Sequence, residues 1–402
     1  MNPDSSVTTT AKSPFDSWRS LVISLYMTLV GYGVLVGIPV ISTAWVTLLG
    51  FTEVEVGRVA GADLGGLSLG AIVTSVFISK VNRRWLVVWG LGLAVLANGL
   101  CITLVDYNQV LWLRLLAGFG SGIYTAVAVT SLGASSKPAR AYNAMLFAFA
   151  FSQALEMHFL PQLSMAGIYW VFIVCFLITL PFIRWIPARG HARVEAAPAA
   201  ESQVITANVA ATPSYVPWLC LVAMVITYIN IGSYWTYIEL AALSDGATPS
   251  WISQVLVWAS FCSLIGCAFA TLLSNRFGLL RPLLVALLTM GLIVGLLVNG
   301  ITDTKLLISV FSFNLLWIFI DVYQMSTIAN VDLAGKYAAL MPAAQGLGQI
   351  IGPNLAASIL GLQLGYSAVF LMCSVAALLA MLIYAFLFLR FKQRMPSLAY
   401  AT

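Results

Sequence analysis

Charge is the scarcest thing in this sequence. Asp, Glu, Lys and Arg make up 8% of its 402 residues, against about 25% in a soluble domain. So few charges cannot cover the water-facing surface of a chain this long, which excludes a soluble globular fold. Histidine occurs only twice, and neither copy sits in an H-E-x-x-H pattern. There is no G-x-S-x-G elbow and no phosphate loop. Nucleophilic, zinc-dependent and nucleotide-driven chemistries therefore find no support, and no cofactor or metal is expected. The six cysteines (Cys101, Cys175, Cys220, Cys262, Cys267, Cys373) lie in apolar stretches without metal-ligand spacing. They read as small buried hydrophobes. Residues 1–17 lack the apolar core and cleavage site of a secretory signal and read as a disordered tail.

What the chain does have is hydrophobic residues, 61% of the total. They fall into stretches of the length that spans a bilayer, about 20 residues each. Helices are predicted near 18–43, 55–79, 84–104, 107–133, 139–163, 166–186, 214–243, 249–274, 281–301, 305–330, 335–361 and 364–390. The even-numbered breaks and the two tails hold sixteen of the nineteen Lys and Arg. The odd-numbered breaks hold only Arg58 and Lys305, and Arg114 lies within a span. This asymmetry predicts cytoplasmic termini. It also explains the net charge of +5 without a nucleic-acid partner. The long Ala/Pro-rich break at 187–213 divides the chain into six-helix bundles at 18–186 and 214–390, with a short tail at 391–402.

Polarity repeats with a period of three spans. The third, sixth, ninth and twelfth carry almost no strongly polar side chains and are expected to face lipid. The fourth and tenth carry Arg114 and Asp321, and the first and seventh are rich in Tyr, Ser, Thr or Asn. The halves also echo each other: SVFISKVNRR follows the second span and TLLSNRFGLLR the eighth. Such symmetry is expected of secondary transporters.

At these residues the chain resembles the major facilitator superfamily, over essentially its whole length. The family's G-x-x-x-D-R-x-G-R-R motif corresponds to Ser75, Ser79, Lys80, Asn82, Arg83 and Arg84 in the first copy. In the second it corresponds to Thr271, Asn275, Arg276, Gly278 and Arg281. Both acids of the motif are replaced, by Ser79 and Asn275. The family's R-x-x-x-G-x-G-x-G pattern is matched by Arg114, Gly118, Gly120 and Gly122. The G-x-x-x-G-P of many drug antiporters is missing from the fifth span, although Gly348, Gly352 and Pro353 form a similar string in the eleventh. The resemblance implies an all-α membrane fold of twelve transmembrane helices in two pseudo-symmetric six-helix halves. It implies alternating access about a midplane site, a latch formed by Lys80, Arg83, Arg84, Arg276, Gly278 and Arg281, a monomer, and a plasma membrane location, the inner membrane in a bacterium.

Ionisable groups at bilayer depth are functional candidates by default. By helix rise, Asp63, Arg114, Glu156 and His158 lie roughly 12, 10, 9 and 6 Å from the outer ends of their spans. All four fall in one slab of the first half and are candidates for a proton-coupling network, as is Asp321 in the second half. The competing reading is a structural pair of Arg114 with Asp63 or Glu156. Arg114, Ser121 and Thr125 share one helix face, which places Arg114 on a cavity. Gly118 and Gly122 suit close helix packing. Asn314, Trp317, Asp321 and Gln324 share a face of the tenth span, joined by Gln345 and Gln349 on the eleventh. Tyr228, Asn230 and Tyr234 on the seventh span, with Tyr26 and Tyr32 on the first, are candidates to hold a ring. Trp235 and Tyr237 read instead as an interfacial belt.

The sequence thus points to a proton-linked secondary transporter of a small organic solute, aromatic or anionic. Its partners would be the bilayer, the solute and the proton. A multidrug exporter is the rival in transport. A non-transporting receptor and an intramembrane enzyme are the rivals outside it.

Overall fold

A computed structural model of the chain describes residues 14–188, 213, 215–273, 276–332, 337 and 340–391. The polar breaks are where helices start, and the reason is capping. Thr52 and Glu55 form a reciprocal capping box that opens the second span, Glu53–Phe77. Asn82 accepts from the Arg84 amide to open the third, Arg83–Thr103, and Asp106 from Asn108 to open the fourth, Tyr107–Gly133. Gly278 and Gly300 flank the ninth span at φ +73° and +84°, a region that favours glycine.

Among the described residues, ten elements are long and apolar enough to cross a membrane. Two further long helices, Pro138–Phe159 and Met341–Gly361, complete twelve. These are the fifth and eleventh spans, equivalent members of the two halves. They carry Gln153 and Glu156, and Gln345, Gln349 and Asn354, which lower their hydropathy. The twelve-helix, two-half architecture expected from the sequence is the one observed.

Several expectations need correction in detail. Residues 14–17 belong to no disordered tail. Pro14–Asp16 forms a helical turn whose buried Phe15 lies under the Arg83 guanidinium at 4.6 Å, and Asp16 accepts from the Ser136 amide. Residues 1–13 and most of the link at 187–213 lie outside the described residues. The first span runs on to Leu49, broken at Tyr32 between helices Trp18–Gly31 and Gly33–Leu49. Of the spans expected to face lipid, the third, sixth, ninth and twelfth are 33–44% buried, against 61–67% for the second, fourth and seventh. The eighth, at 33%, breaks the pattern.

Glycine sets how closely the spans approach. A Cβ on Gly118 would strike the backbone carbonyl of Asp63, and one on Gly122 that of Leu67. The glycine string of the fourth span is therefore a packing surface against the second, as its spacing allowed. A stripe that the sequence reading overlooked, Gly57, Gly61 and Gly65, faces the eleventh span from the second and joins the two halves. At Gly61 a Cβ would meet the Asn354 side-chain amide. The Gly61→Leu variant is expected to cost about 1–3 kcal/mol of packing and to part the halves there. A cysteine placed at Ser358, one helical turn beyond Asn354, should then react faster with an aqueous thiol reagent. Unchanged labelling would show that this contact does not hold the halves together.

The described chain begins and ends on one side of the bundle, and the halves are pinned together away from it. Trp235 Nε1 donates to the Val36 carbonyl at 3.3 Å and Tyr237 to the Glu53 carbonyl at 2.8 Å. Arg58 donates to Asn354 at 2.8 Å and Ser358 at 2.9 Å. Ser253 donates to the Met157 carbonyl at 3.1 Å. Trp235 and Tyr237, 1% and 0% exposed, are thus no interfacial belt. Their position near a helix end suggested one, but the halves close over that end. Half or more of the surface of Trp85, Trp89, Trp112, Trp170 and Trp258 is exposed instead, in positions suited to lipid.

In the first copy of the motif, the hydrogen bonds described for Arg83 and Arg84 stay within the first half. Arg83 donates to Ser131 at 3.0 Å, and Arg84 to the carbonyls of Ile186 at 2.7 Å and Arg184 at 3.0 Å. Without an acid at Ser79, these guanidinium groups find hydroxyl and backbone oxygens within the first half. In the second copy, Arg281 lies over Phe388 at 5.7 Å and Arg276 near Phe277 at 6.0 Å. Asn275 is outside the described residues. Lys80 is exposed.

Candidate functional site

A cavity of about 240 Å³ opens between the halves. The first half contributes Tyr32 from the break in the first span, Ser68 from the second, and Phe149 and Gln153 from the fifth. The second half contributes Tyr228, Asn314, Trp317, Asp321, Gln345 and Gln349. The break at Tyr32 matters here. It turns a ring inward that packs edge-on against Phe149 at 5.5 Å.

The polar wall is ordered around Tyr228. Its hydroxyl donates to Asp321, at 2.8 and 2.7 Å from the two carboxylate oxygens, and accepts from Gln345 Nε2 at 2.9 Å. The seventh, tenth and eleventh spans meet at this one phenol. Gln153 donates to Asn314 Oδ1 at 3.1 Å and bridges the halves across the cavity. Asp321 is only partly buried and is the one charged side chain among the described residues lining the cavity.

Of the residues singled out in the sequence, Tyr32, Tyr228, Asn314, Trp317, Asp321, Gln345 and Gln349 thus come together. The others do not reach the cavity. Gln324 shares the stripe of the tenth span but donates to Thr227 at 2.8 Å. Asn230 donates to the Cys373 carbonyl at 2.8 Å. Tyr234 bonds Ser309 at 2.9 Å and stacks on Phe313. Tyr26 donates to the Cys175 carbonyl at 2.7 Å, Ser121 to the Gly31 carbonyl at 2.6 Å, and Thr125 to the Ser121 carbonyl at 2.7 Å. All six hold helices to helices or to their own backbone. Each makes at least one hydrogen bond within the protein, where lipid offers no alternative.

Arg114 also departs from its expected place. It is 1% exposed and sits inside the first half. Its Nε and Nη2 donate to Asp63 Oδ2, the former at 2.7 Å, and its Nη1 to Asn98 Oδ1 at 2.7 Å. Its guanidinium lies 5.6 Å from the centre of the Tyr169 ring, and Tyr169 in turn accepts from Trp45 Nε1 at 3.1 Å. Residues of five spans meet in this cluster: Trp45, Asp63, Asn98, Arg114 and Tyr169. The face shared with Ser121 and Thr125 packs on the first span rather than on a cavity.

Glu156 joins neither group. Its carboxylate lies against Gly33 and Gly37 of the first span, where a Cβ would come within 3.3 and 2.7 Å of its oxygens. Ser152 approaches at 3.4 Å, and Oε2 has no hydrogen-bond partner. His158 is exposed beside Phe159. The slab of four ionisable residues is therefore one ion pair, one solitary acid and one rim histidine. Depth along a helix does not fix the direction a side chain takes around it. Sequence reasoning missed Ser68, Phe149 and Gln153. Of these only Gln153 carried a signal, an amide in an otherwise apolar stretch.

Comparisons with known proteins agree with this architecture. Over 262 residues, the sequence is 25% identical to the 3-(3-hydroxy-phenyl)propionate transporter of Escherichia coli (strain K12), covering 62% of each chain. The fold matches nucleoside transporter NupG with a TM-score of 0.71 at 11% identity, over 92% of this chain and 98% of that one. It matches a D-xylose-proton symporter with a TM-score of 0.69 at 14% identity, over 90% and 96%. At those identities the structural likeness is one of fold. The Major Facilitator Superfamily profile matches residues 21–353. With two six-helix halves closing on a central cavity, the chain belongs to the Major Facilitator Superfamily, a family of multi-pass membrane transporters.

Proposed function

We propose that the chain is a proton-coupled secondary transporter of a small, single-ring organic solute, working by alternating access in the inner membrane of a bacterium. The observation that carries this reading is the cavity between the halves, walled by rings, amides and one acid. Its termini are cytoplasmic on the distribution of basic residues. The halves are pinned on the opposite side, so the conformation is closed toward the outside. The cavity volume of about 240 Å³ lies just below the 300–1,000 Å³ of drug-sized pockets. That favours a compact solute over the broad cargo of a multidrug exporter. The partial relative named for a hydroxyphenyl compound supports a ring as part of the cargo.

Glu156 is the proposed proton carrier. It is an acid at bilayer depth without a cationic partner, the setting in which membrane carboxylates serve proton relays. It contacts the first span immediately behind Tyr32, so its state and the cavity wall are mechanically linked. Purified protein in proteoliposomes should take up its solute about tenfold faster under an imposed proton gradient, and an uncoupler should abolish the difference. Glu156→Gln should lose the response to the gradient while still exchanging labelled for unlabelled solute. Uptake by the wild type that ignores the gradient would remove proton coupling.

A further inference from the structure

The charge of the solute follows from the cavity walls, given the reading of that cavity as the transport site. Asp321 is the one charged side chain among the described lining residues. The membrane-buried cation Arg114 is fully engaged elsewhere, by Asp63 and Asn98. Nothing basic among the described residues therefore meets an anionic solute, and a carboxylate placed here would stand beside Asp321. Like charges at close range in such a setting repel strongly.

The acid also has capacity to spare. A carboxylate offers about four lone-pair sites. The Tyr228 hydroxyl approaches both oxygens with a single proton, and Gln345 holds that hydroxyl from behind. Tyr228 donates its one proton to Asp321 while its oxygen accepts from Gln345, which fixes the orientation of the pair. The carboxylate is thereby held in place on the cavity wall, with acceptor capacity beyond its bonds from Tyr228 and Trp317. Opposite and beside it are the rings of Trp317, Tyr32 and Phe149. Aromatic faces carry negative charge density and attract cations, most of all when the cation is desolvated. An acid set among rings is a cation site by two independent physical effects.

We propose that the solute is a monocationic aromatic amine: one ring bearing a short alkylammonium chain. The ammonium pairs with Asp321, and the ring and chain lie against Trp317 and Tyr32. The amides of Gln345, Gln349 and Asn314 serve whatever hydroxyl groups the ring carries. A cavity of about 240 Å³, smaller than the roughly 300–1,000 Å³ of drug-sized pockets, suits one ring.

The test uses the purified full chain and calorimetric titration with three probes of similar size: phenethylamine, 3-phenylpropanol and 3-phenylpropionate. Phenethylamine should bind about tenfold or more tightly than either of the others. In Asp321→Asn its affinity should fall to within about threefold of the alcohol. Binding of 3-phenylpropionate equal to or tighter than that of phenethylamine by the wild type would overturn the proposal, and this comparison needs no variant to fold. A preference for phenethylamine that survives in folded Asp321→Asn would overturn it as well. If 3-phenylpropionate or the alcohol is the better ligand and also shows counterflow in proteoliposomes, the charge assignment falls and the transport reading stands. If none of the three binds, the single-ring reading of the cavity falls with it.

Discussion

Asp63→Ala should destabilise the first half by about 3–5 kcal/mol, because removing one partner of a buried ion pair leaves the other charge uncompensated. Asp63 and Arg114 are 2% and 1% exposed, so neither can be rescued by water. Without Asp63, Arg114 retains the Asn98 oxygen and the face of Tyr169, and two of its donating nitrogens lose their acceptor. The damage cannot stay local. Asp63 belongs to the second span, which also carries the glycine faces toward the fourth and eleventh spans. A guanidinium forced to seek another acceptor pulls the fourth span from that close contact. The measurement is thermal denaturation in detergent with yield of folded protein. The single variant should melt far below the wild type, whereas Asp63→Leu combined with Arg114→Leu should recover much of the loss, since an apolar pair of similar size carries no buried charge. If Asp63→Ala melts normally and only transport fails, Arg114 serves the solute and the structural assignment is wrong.

That contrast shows where the sequence was sufficient and where it was not. Span positions were legible because bilayer length acts on each segment alone. The stripe Asn314, Trp317 and Asp321 was legible because one helix face fixes their common direction. Partnership between helices was not. Arg114 could have met Asp63 or Glu156 on depth alone, and only the packing of the second span on the fourth chose Asp63. Gln324 continues the cavity stripe by spacing, yet the seventh span passes close enough for Thr227 to capture it. Trp235 sits near a helix end and looked interfacial, but Val36 of the opposite half covers it. The glycines at 57, 61 and 65 are four residues apart, a spacing that many membrane helices show, and only the eleventh span gives the stripe its meaning.

Asp321→Ala should do the reverse of Asp63→Ala: leave the fold and remove transport. Its side chain is held by the Tyr228 hydroxyl and by the Trp317 side chain, and Tyr228 keeps its bond from Gln345 when the acid is gone. No buried cation is stranded, so the loss of stability should stay within the roughly 1–3 kcal/mol of two hydrogen bonds. Transport loses more. Truncating one member of a desolvated charge pair costs about 2–5 kcal/mol, so uptake of the tightest-binding ring compound should fall by roughly a hundredfold. Asp321→Asn should be nearly as impaired, because it keeps shape and polarity and lacks the charge. Tyr228→Phe should be intermediate, since it leaves the acid in place but releases its orientation. The ordering separates a charge requirement from a packing one: a packing role would make the asparagine variant the mildest of the three. Near-normal uptake by Asp321→Ala, in protein that melts like the wild type, would mean that the solute crosses without using this wall of the cavity. Asp321 would then be structural like Asp63, and the cation site would have to be sought on a different span.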